Sequence, residues 1–203
     1  MALFNGLRQL TKLKGFSLGL VIMLVQLWFL VNVSTFFPTN PAKWQNLLLV
    51  LLMMQATVFA VPDLRSKLFN FSFISEFPRL IMFLILGILV TGFIVKSTGV
   101  GVPAILAGVS VGVLIVHGFV VGVVEEFFFR DFLLSRVGMI PANLLFGSFH
   151  WVAYSGNLVT MLVAVGFGFI MTFLKLRFSP QSNSANIGFH WGWNVALLGI
   201  GGA

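Results

Sequence analysis

Cysteine is missing from this chain of 203 residues, which excludes disulfides, thiolate zinc sites, a cysteine nucleophile and palmitoylation. Any metal would have to be held by histidine and carboxylate. Charge is scarce as well: 8% of residues are Asp, Glu, Lys or Arg, against the roughly 25% of a soluble domain. With 59% hydrophobic residues and a mean hydropathy of +1.05, a chain so poor in charge cannot coat itself for water, and lipid is the solvent it implies. The net charge of +7 would suggest nucleic acid in a soluble protein. Here the basic residues sit in short caps between apolar runs and read as topology signals, so membrane lipid is the expected partner and nucleic acid is not.

The expected fold class is all-α, a polytopic bundle of about seven spans within a range of six to eight. The whole chain, 1–203, forms one membrane-embedded domain. The apolar stretches are Ser17–Phe37, Trp44–Val61, Leu80–Val95, Val102–Glu126, Pro141–Tyr154, Leu158–Leu176 and Ile187–Gly202. The fifth has fourteen residues and would rise only about 21 Å as a helix, short of a ~30 Å hydrocarbon core, so it begins earlier, near Phe132, or stops part-way. The first stretch follows Arg8, Lys12 and Lys14 but ends in Phe36-Phe37-Pro38 rather than in small cleavage-site residues, and is read as a retained span.

With the N-terminus in the cytoplasm, ten basic residues lie inside: Arg8, Lys12, Lys14, Arg65, Lys67, Arg79, Arg130, Arg136, Lys175 and Arg177. Only Lys43 and Lys96 lie outside. This bias sets the N-terminus as cytoplasmic and the C-terminus as external. The longest polar connection, Pro62 to Arg79, carries Phe69-Asn70-Phe71-Ser72-Phe73, a candidate to lie on the membrane surface. Ser179 to Ser184 is turn chemistry before the last helix. No internal repeat or low-complexity tract is visible.

Against this background the ionisable residues at bilayer depth stand out. An uncompensated charge near a bilayer centre costs roughly 2.5–3.5 kcal/mol on the insertion scale, so Glu125 and Glu126 in an apolar helix need partners or a task. Glu126 and Arg130 are four apart and pair locally, which leaves Glu125, turned about 100° away, facing something else and the better candidate for chemistry. The plain alternative is that these residues cap the helix at the cytosolic interface. His150 by itself reads as an interhelical hydrogen-bond partner or as a catalyst. His190 and Asn194, four apart in His190-Trp191-Gly192-Trp193-Asn194, read by themselves as an interfacial aromatic belt with two polar riders.

The topology puts all of these on the cytosolic half of three helices. A carboxylate, two imidazoles and an amide suffice to activate water and stabilise an oxyanion, which is the inventory of a hydrolase. His117 is read as a packing hydrogen bond, Asp131 as solvating the helix end, and Phe127, Phe128 and Phe129 as lipid-facing or helix-packing. The Gly108-x-x-x-Gly112 spacing favours close helix packing.

Three ordered motifs carry a resemblance: Glu125-Glu126-Phe127-Phe128-Phe129-Arg130, Phe146-Gly147-Ser148-Phe149-His150 and His190-Trp191-Gly192-Trp193-Asn194. They resemble the Glu-Glu-x-x-x-Arg, Phe-x-x-x-His and His-x-x-x-Asn motifs of the CAAX-protease and bacteriocin-processing family (CPBP, or Abi), intramembrane endopeptidases related to the type II CAAX prenyl proteases. The resemblance covers about 120–194. It implies an intramembrane endopeptidase acting on a membrane-associated peptide or protein, CAAX-like or bearing a leader or tail. In that scheme Glu125 and His150 activate the attacking water, His190 and Asn194 stabilise the oxyanion, and Glu126 with Arg130 hold the site in shape.

The family is described both as glutamic-type and as metal-dependent. Without metal the four catalytic residues suffice. With a divalent ion such as zinc, the ligands would be Glu125, His150 and His190. The absence of His-Glu-x-x-His and of visible carboxylates behind the histidines favours no metal. Two other functions compete: a small ion-coupled transporter, since buried acids and histidines also build proton relays, and a non-catalytic immunity or scaffold member of the same family.

Overall fold

The helices begin and end where local chemistry dictates. The computed structural model describes residues 73–98, 111–153 and 157–200, and every element among them is helical. Helix α1 is Phe73–Thr98 and α2 is Val111–Glu125; α2 runs without a break into a π-helix, Glu126–Leu133, and then into α3, Leu134–Val137. Gly138, at φ 85°, ends that rod, because only glycine adopts the left-handed region there without strain. Helix α4, Met139–Ala153, opens with Pro141 in its first turn, where a missing N–H costs nothing. Helix α5, Leu158–Phe178, is capped by the Asn157 side chain accepting from Thr160 N–H at 3.2 Å and stops ahead of Ser179-Pro180. Helix α6 is Ser184–Ile200.

The spans expected at Ser17–Phe37 and Trp44–Val61 lie outside the described residues, as do residues 69–72 of the aromatic segment. The other five expected stretches are helical wherever they are described, with shifted ends. Helix α1 starts seven residues before Leu80 and takes in Glu76, Pro78 and Arg79. Its polar start is tethered: Glu76 pairs with Arg79 at 2.7 Å and accepts hydrogen bonds from Ser182 Oγ at 2.9 Å and from Ser184 Oγ. The fourth span does not stop at Glu126, and α4 does not reach back to Phe132. At fifteen residues, α4 rises only about 22 Å. Among the described residues, Ile74–Thr98 and Leu158–Phe178 are long and apolar enough to cross a membrane. The outer surface suits lipid: Phe93 is 74% exposed, and Leu89, Val159 and Leu176 are exposed as well.

The core is phenylalanine-rich. Phe128 and Phe129 pack edge to face at 5.1 Å, and Phe129 meets Phe146 at 5.0 Å. Phe127, Phe128 and Phe129 are all buried, so they pack helices and do not face lipid. Helices α1 and α6 approach closely through Gly87, Gly188 and Gly192. A Cβ at Gly192 would overlap the Leu84 carbonyl and crowd Ile88 N, and one at Gly188 would overlap the Leu80 carbonyl. The close-packing spacing is therefore Gly188-x-x-x-Gly192. The spacing Gly108-x-x-x-Gly112 lies partly outside the described residues, and among them nothing comes within 4 Å of a Cβ at Gly112. Gly118 and Gly122 do pack on α6.

Because the obstacles at Gly192 are backbone atoms, Gly192→Ala must push α1 and α6 apart. A loss of roughly 1–3 kcal/mol is expected, read as a lowered Tm of the detergent-solubilised protein. An unchanged Tm would show that the two helices are not in contact there.

A charged cluster lies at one end of this core, where the sequence suggested solvent. Asp131 is buried, pairs with Lys175 Nζ at 2.9 Å and accepts a hydrogen bond from Asn183 Nδ2. Lys175 Nζ also donates to Ser182 O and to Asn183 Oδ1, each at 2.9 Å. The expectation that Asp131 solvates a helix end is thus wrong: the rod continues past it and α5 brings a cation to it. Lys175 and Arg130, both buried, are interior residues as well and leave the count of topology charges.

Candidate active site

The site forms where the π-helix meets α4, α5 and α6. A π-helix widens the spiral, and all eight residues from Glu126 to Leu133 are buried. At its junction with α2 the two glutamates grip opposite sides of one imidazole. Glu126 Oε1 lies 2.8 Å from His190 Nδ1, and Glu125 Oε2 lies 3.8 Å from His190 Nε2. Glu125 Oε2 is also 3.9 Å from His150 Nε2. The structure therefore brings Glu125, Glu126, His150 and His190 together from three separate stretches of chain. The expected divergence of the two glutamates is real but small in effect, since both end on the His190 ring.

Each histidine is oriented from behind. His150 Nδ1 donates to the Phe146 carbonyl one turn earlier at 2.9 Å, because a carbonyl can only accept. His190 Nδ1 donates in the same way to the Glu126 carboxylate. In both rings Nε2 is the nitrogen turned to Glu125. Phe167 packs edge-on to His190 at 5.0 Å and Phe146 lies against His150 at 4.3 Å, walling the rings with apolar surface. His190 is buried and Trp193 packs on Phe167 at 4.5 Å, so this stretch of α6 is an inward face and not an interfacial belt.

A cavity of about 440 Å³, counting the space at its mouth, opens onto His150, His190 and Asn194, with Phe146, Phe167 and Trp193 among its apolar walls. Asn194 gives one amide hydrogen to the Gly118 carbonyl at 3.2 Å, the one hydrogen bond its side chain makes among the described residues, which leaves the other hydrogen for a ligand there. Glu125 is buried, and its Oε2 has no hydrogen-bond partner among the described residues. A buried carboxylate oxygen left in that state costs about 1–3 kcal/mol or more, which marks a place built to receive a donor.

Arg130 falls as expected beside Glu126, with Nε 3.4 Å from Oε2 and both side chains fully buried. Yet none of its three nitrogens has a hydrogen-bond partner among the described residues; its guanidinium lies over the Phe146 ring at 4.8 Å. His117, half-buried on α2, makes no hydrogen bond among the described residues, so the expected packing bond is not seen. Asn186, which the motif reading passed over, donates to Glu126 Oε2 at 3.2 Å. Its spacing was the available signal: Asn186, His190 and Asn194 recur every four residues.

The metal question turns on the same atoms. The histidines do have oriented partners behind them, a carboxylate for His190 and a carbonyl for His150, which removes one argument made from the sequence against a metal. The front of the site argues otherwise. Ligands of a tetrahedral zinc at ~2.0–2.1 Å stand ~3.4 Å apart. Glu125 stands 3.8 and 3.9 Å from the two nitrogens, and no group of three or more His, Asp or Glu among the described residues is arranged to hold a metal.

The sequence model of one protein family matches residues 107–196: type II CAAX prenyl endopeptidase Rce1-like. That stretch runs from before α2 to the last turns of α6 and contains all three motifs. No curated protein and no solved structure matches the chain. Two buried glutamates on two histidines, in a helical chain with an outer surface made for lipid, are what such a match leads one to expect. Through residues 107–196 the chain is similar to the Rce1-like type II CAAX prenyl endopeptidases, a family of membrane-embedded proteases.

Proposed function

We propose that the protein hydrolyses a peptide bond in a membrane-associated peptide or protein, with a water activated by Glu125 and no metal. One observation carries this reading: Glu125 Oε2 is buried without a hydrogen-bond partner among the described residues, 3.8–3.9 Å from two imidazole nitrogens. That separation is too long for a direct hydrogen bond and suits one water oxygen bridging the carboxylate to a ring. Glu125 takes the proton as the water attacks the scissile carbonyl and returns it to the leaving amine nitrogen as the C–N bond breaks, while His150 steadies the water. The charge that develops on the carbonyl oxygen is met by the remaining Asn194 amide hydrogen and by His190. For His190 to donate from Nε2 while Nδ1 donates to Glu126, its ring must be the imidazolium, and Glu126 balances that charge. The apolar walls of the cavity suit a substrate that arrives from the bilayer.

The reading also includes orientation. Without Arg130 and Lys175, eight basic residues still fall on the inner side against Lys43 and Lys96, so the N-terminus is cytoplasmic and the site works in the cytosolic half of a multi-pass bundle.

The test compares membranes carrying the wild-type chain with membranes carrying Glu125→Gln, by proteomics of peptide ends. The expected result is at least one membrane-associated peptide that loses a segment only with wild type. No difference in any peptide would overturn the reading and favour a binding role or transport. Cleavage by purified protein is expected to survive exhaustive chelation; loss on chelation and return with zinc would establish a metal enzyme instead.

A further inference from the structure

Asn186 lies one helical turn before His190 on the same face of α6 and is fully buried. Both amide hydrogens of its side chain are used, and its carbonyl oxygen accepts one bond. Oδ1 accepts from Ser179 Oγ at 2.9 Å, and Nδ2 donates to the Met171 carbonyl at 2.6 Å and to Glu126 Oε2 at 3.2 Å. The amide is therefore fixed from α5 and from the start of the α5–α6 connection, and it presents one hydrogen to Glu126.

Glu126 has two claimants. Its Oε1 serves His190, while Arg130 stands beside Oε2 with Nε at 3.4 Å and all three guanidinium nitrogens lacking a hydrogen-bond partner among the described residues. An unsatisfied buried guanidinium next to a carboxylate is a strong competitor, since charge-assisted pairs are about twice as strong as neutral ones. The terminal torsion of a glutamate is soft, so little in the side chain itself resists rotation toward Arg130. What resists is the Asn186 bond on Oε2.

We propose that Asn186 is a positioning residue, which holds Glu126 on His190 against the pull of Arg130 and thereby determines the hydrogen-bonding state of the His190 ring. The motif arginine supplies charge, and the asparagine outside the three motifs supplies direction. The consequence for turnover rests on the proposed hydrolytic role of His190. The effect on the ring does not.

The test is therefore nitrogen NMR of the full chain, labelled at its histidines and held in detergent micelles, with His117→Gln and His150→Gln used to assign the three rings. Wild type is expected to show His190 in one state with Nδ1 protonated and hydrogen-bonded. Asn186→Asp keeps size and the Ser179 bond but replaces the amide donors by a carboxyl oxygen facing Glu126, an acid set against an acid; its His190 is expected to lose that single state. Asn186→Ala is expected to do the same, and Ser179→Ala, which leaves Nδ2 in place, is expected to leave the ring unchanged.

His190 signals that match wild type in a folded Asn186→Asp or Asn186→Ala protein overturn the proposal, as does an equal change in Ser179→Ala. Once a cleavable substrate is in hand, Asn186→Asp should lower kcat about 10- to 100-fold with KM little changed. A changed ring with no proteolysis in wild type would refute the protease reading and leave the positioning role standing.

Discussion

Glu125→Gln is expected to lower kcat by about 10²- to 10⁴-fold while leaving KM nearly unchanged. The replacement keeps the size and shape of the side chain and removes only its capacity to take a proton. The magnitude follows from what general bases contribute, and the selectivity for kcat follows from the site. Glu125 is buried and is not among the side chains that line the cavity, so substrate binding should not sense the change. Asn194→Ala should give a smaller loss, up to about 10²–10³-fold, because it removes one oxyanion donor and leaves the base. Both are read from initial rates on purified protein. A Glu125→Gln enzyme at wild-type rate would remove Glu125 from the chemistry, and the unpartnered oxygen would then need a structural explanation.

Lys175→Met should be the most damaging single change to stability. Asp131 would remain in the interior, and breaking a buried pair by removing one partner costs about 3–5 kcal/mol. Lys175 also serves Ser182 O and Asn183 Oδ1, so two further acceptors lose their donor and the connection from α5 to α6 is loosened. Activity should fall with stability, since Asn186 and His190 follow directly on that connection. The double variant Lys175→Met with Asp131→Asn should recover a good part of the loss, because the stranded charge is gone and the Asn183 contact can still be accepted. Thermal unfolding in detergent measures both. A single variant as stable as wild type would show that the pair is solvated, contrary to its burial.

The reversal at Asp131 shows how the sequence can mislead. An acid that follows three phenylalanines and an arginine at the end of an apolar run reads as a surface residue, because the pattern holds no hint that the helix continues through a π-turn. The π-helix was invisible since its signal is geometric: Glu126–Leu133 has no sequence mark apart from being unusually aromatic and charged at once. Lys175 misled in the same way. It sits at the end of an apolar run, where a lysine ordinarily marks the cytosolic edge, and only the approach of the π-helix makes it a core residue.

Much else was legible. Scarcity of charge and long apolar runs dictated an all-helical membrane chain, because backbone polar groups in lipid must be satisfied within each segment. Four-residue spacings put Glu126 with Arg130 and His190 with Asn194 on shared faces, and the cost of burying ionisable groups singled out Glu125 and His150. Those inferences are local, set by the period of the helix and by the solvent. What the sequence could not decide is which partner each group meets across the bundle. That both glutamates end on one imidazole, that Asn186 and not Arg130 makes the hydrogen bond to Glu126 Oε2, and that glycines on α6 let α1 approach are facts about the packing of distant segments. No local period encodes them; they arise only when the helices are in contact and each buried polar atom must find its partner.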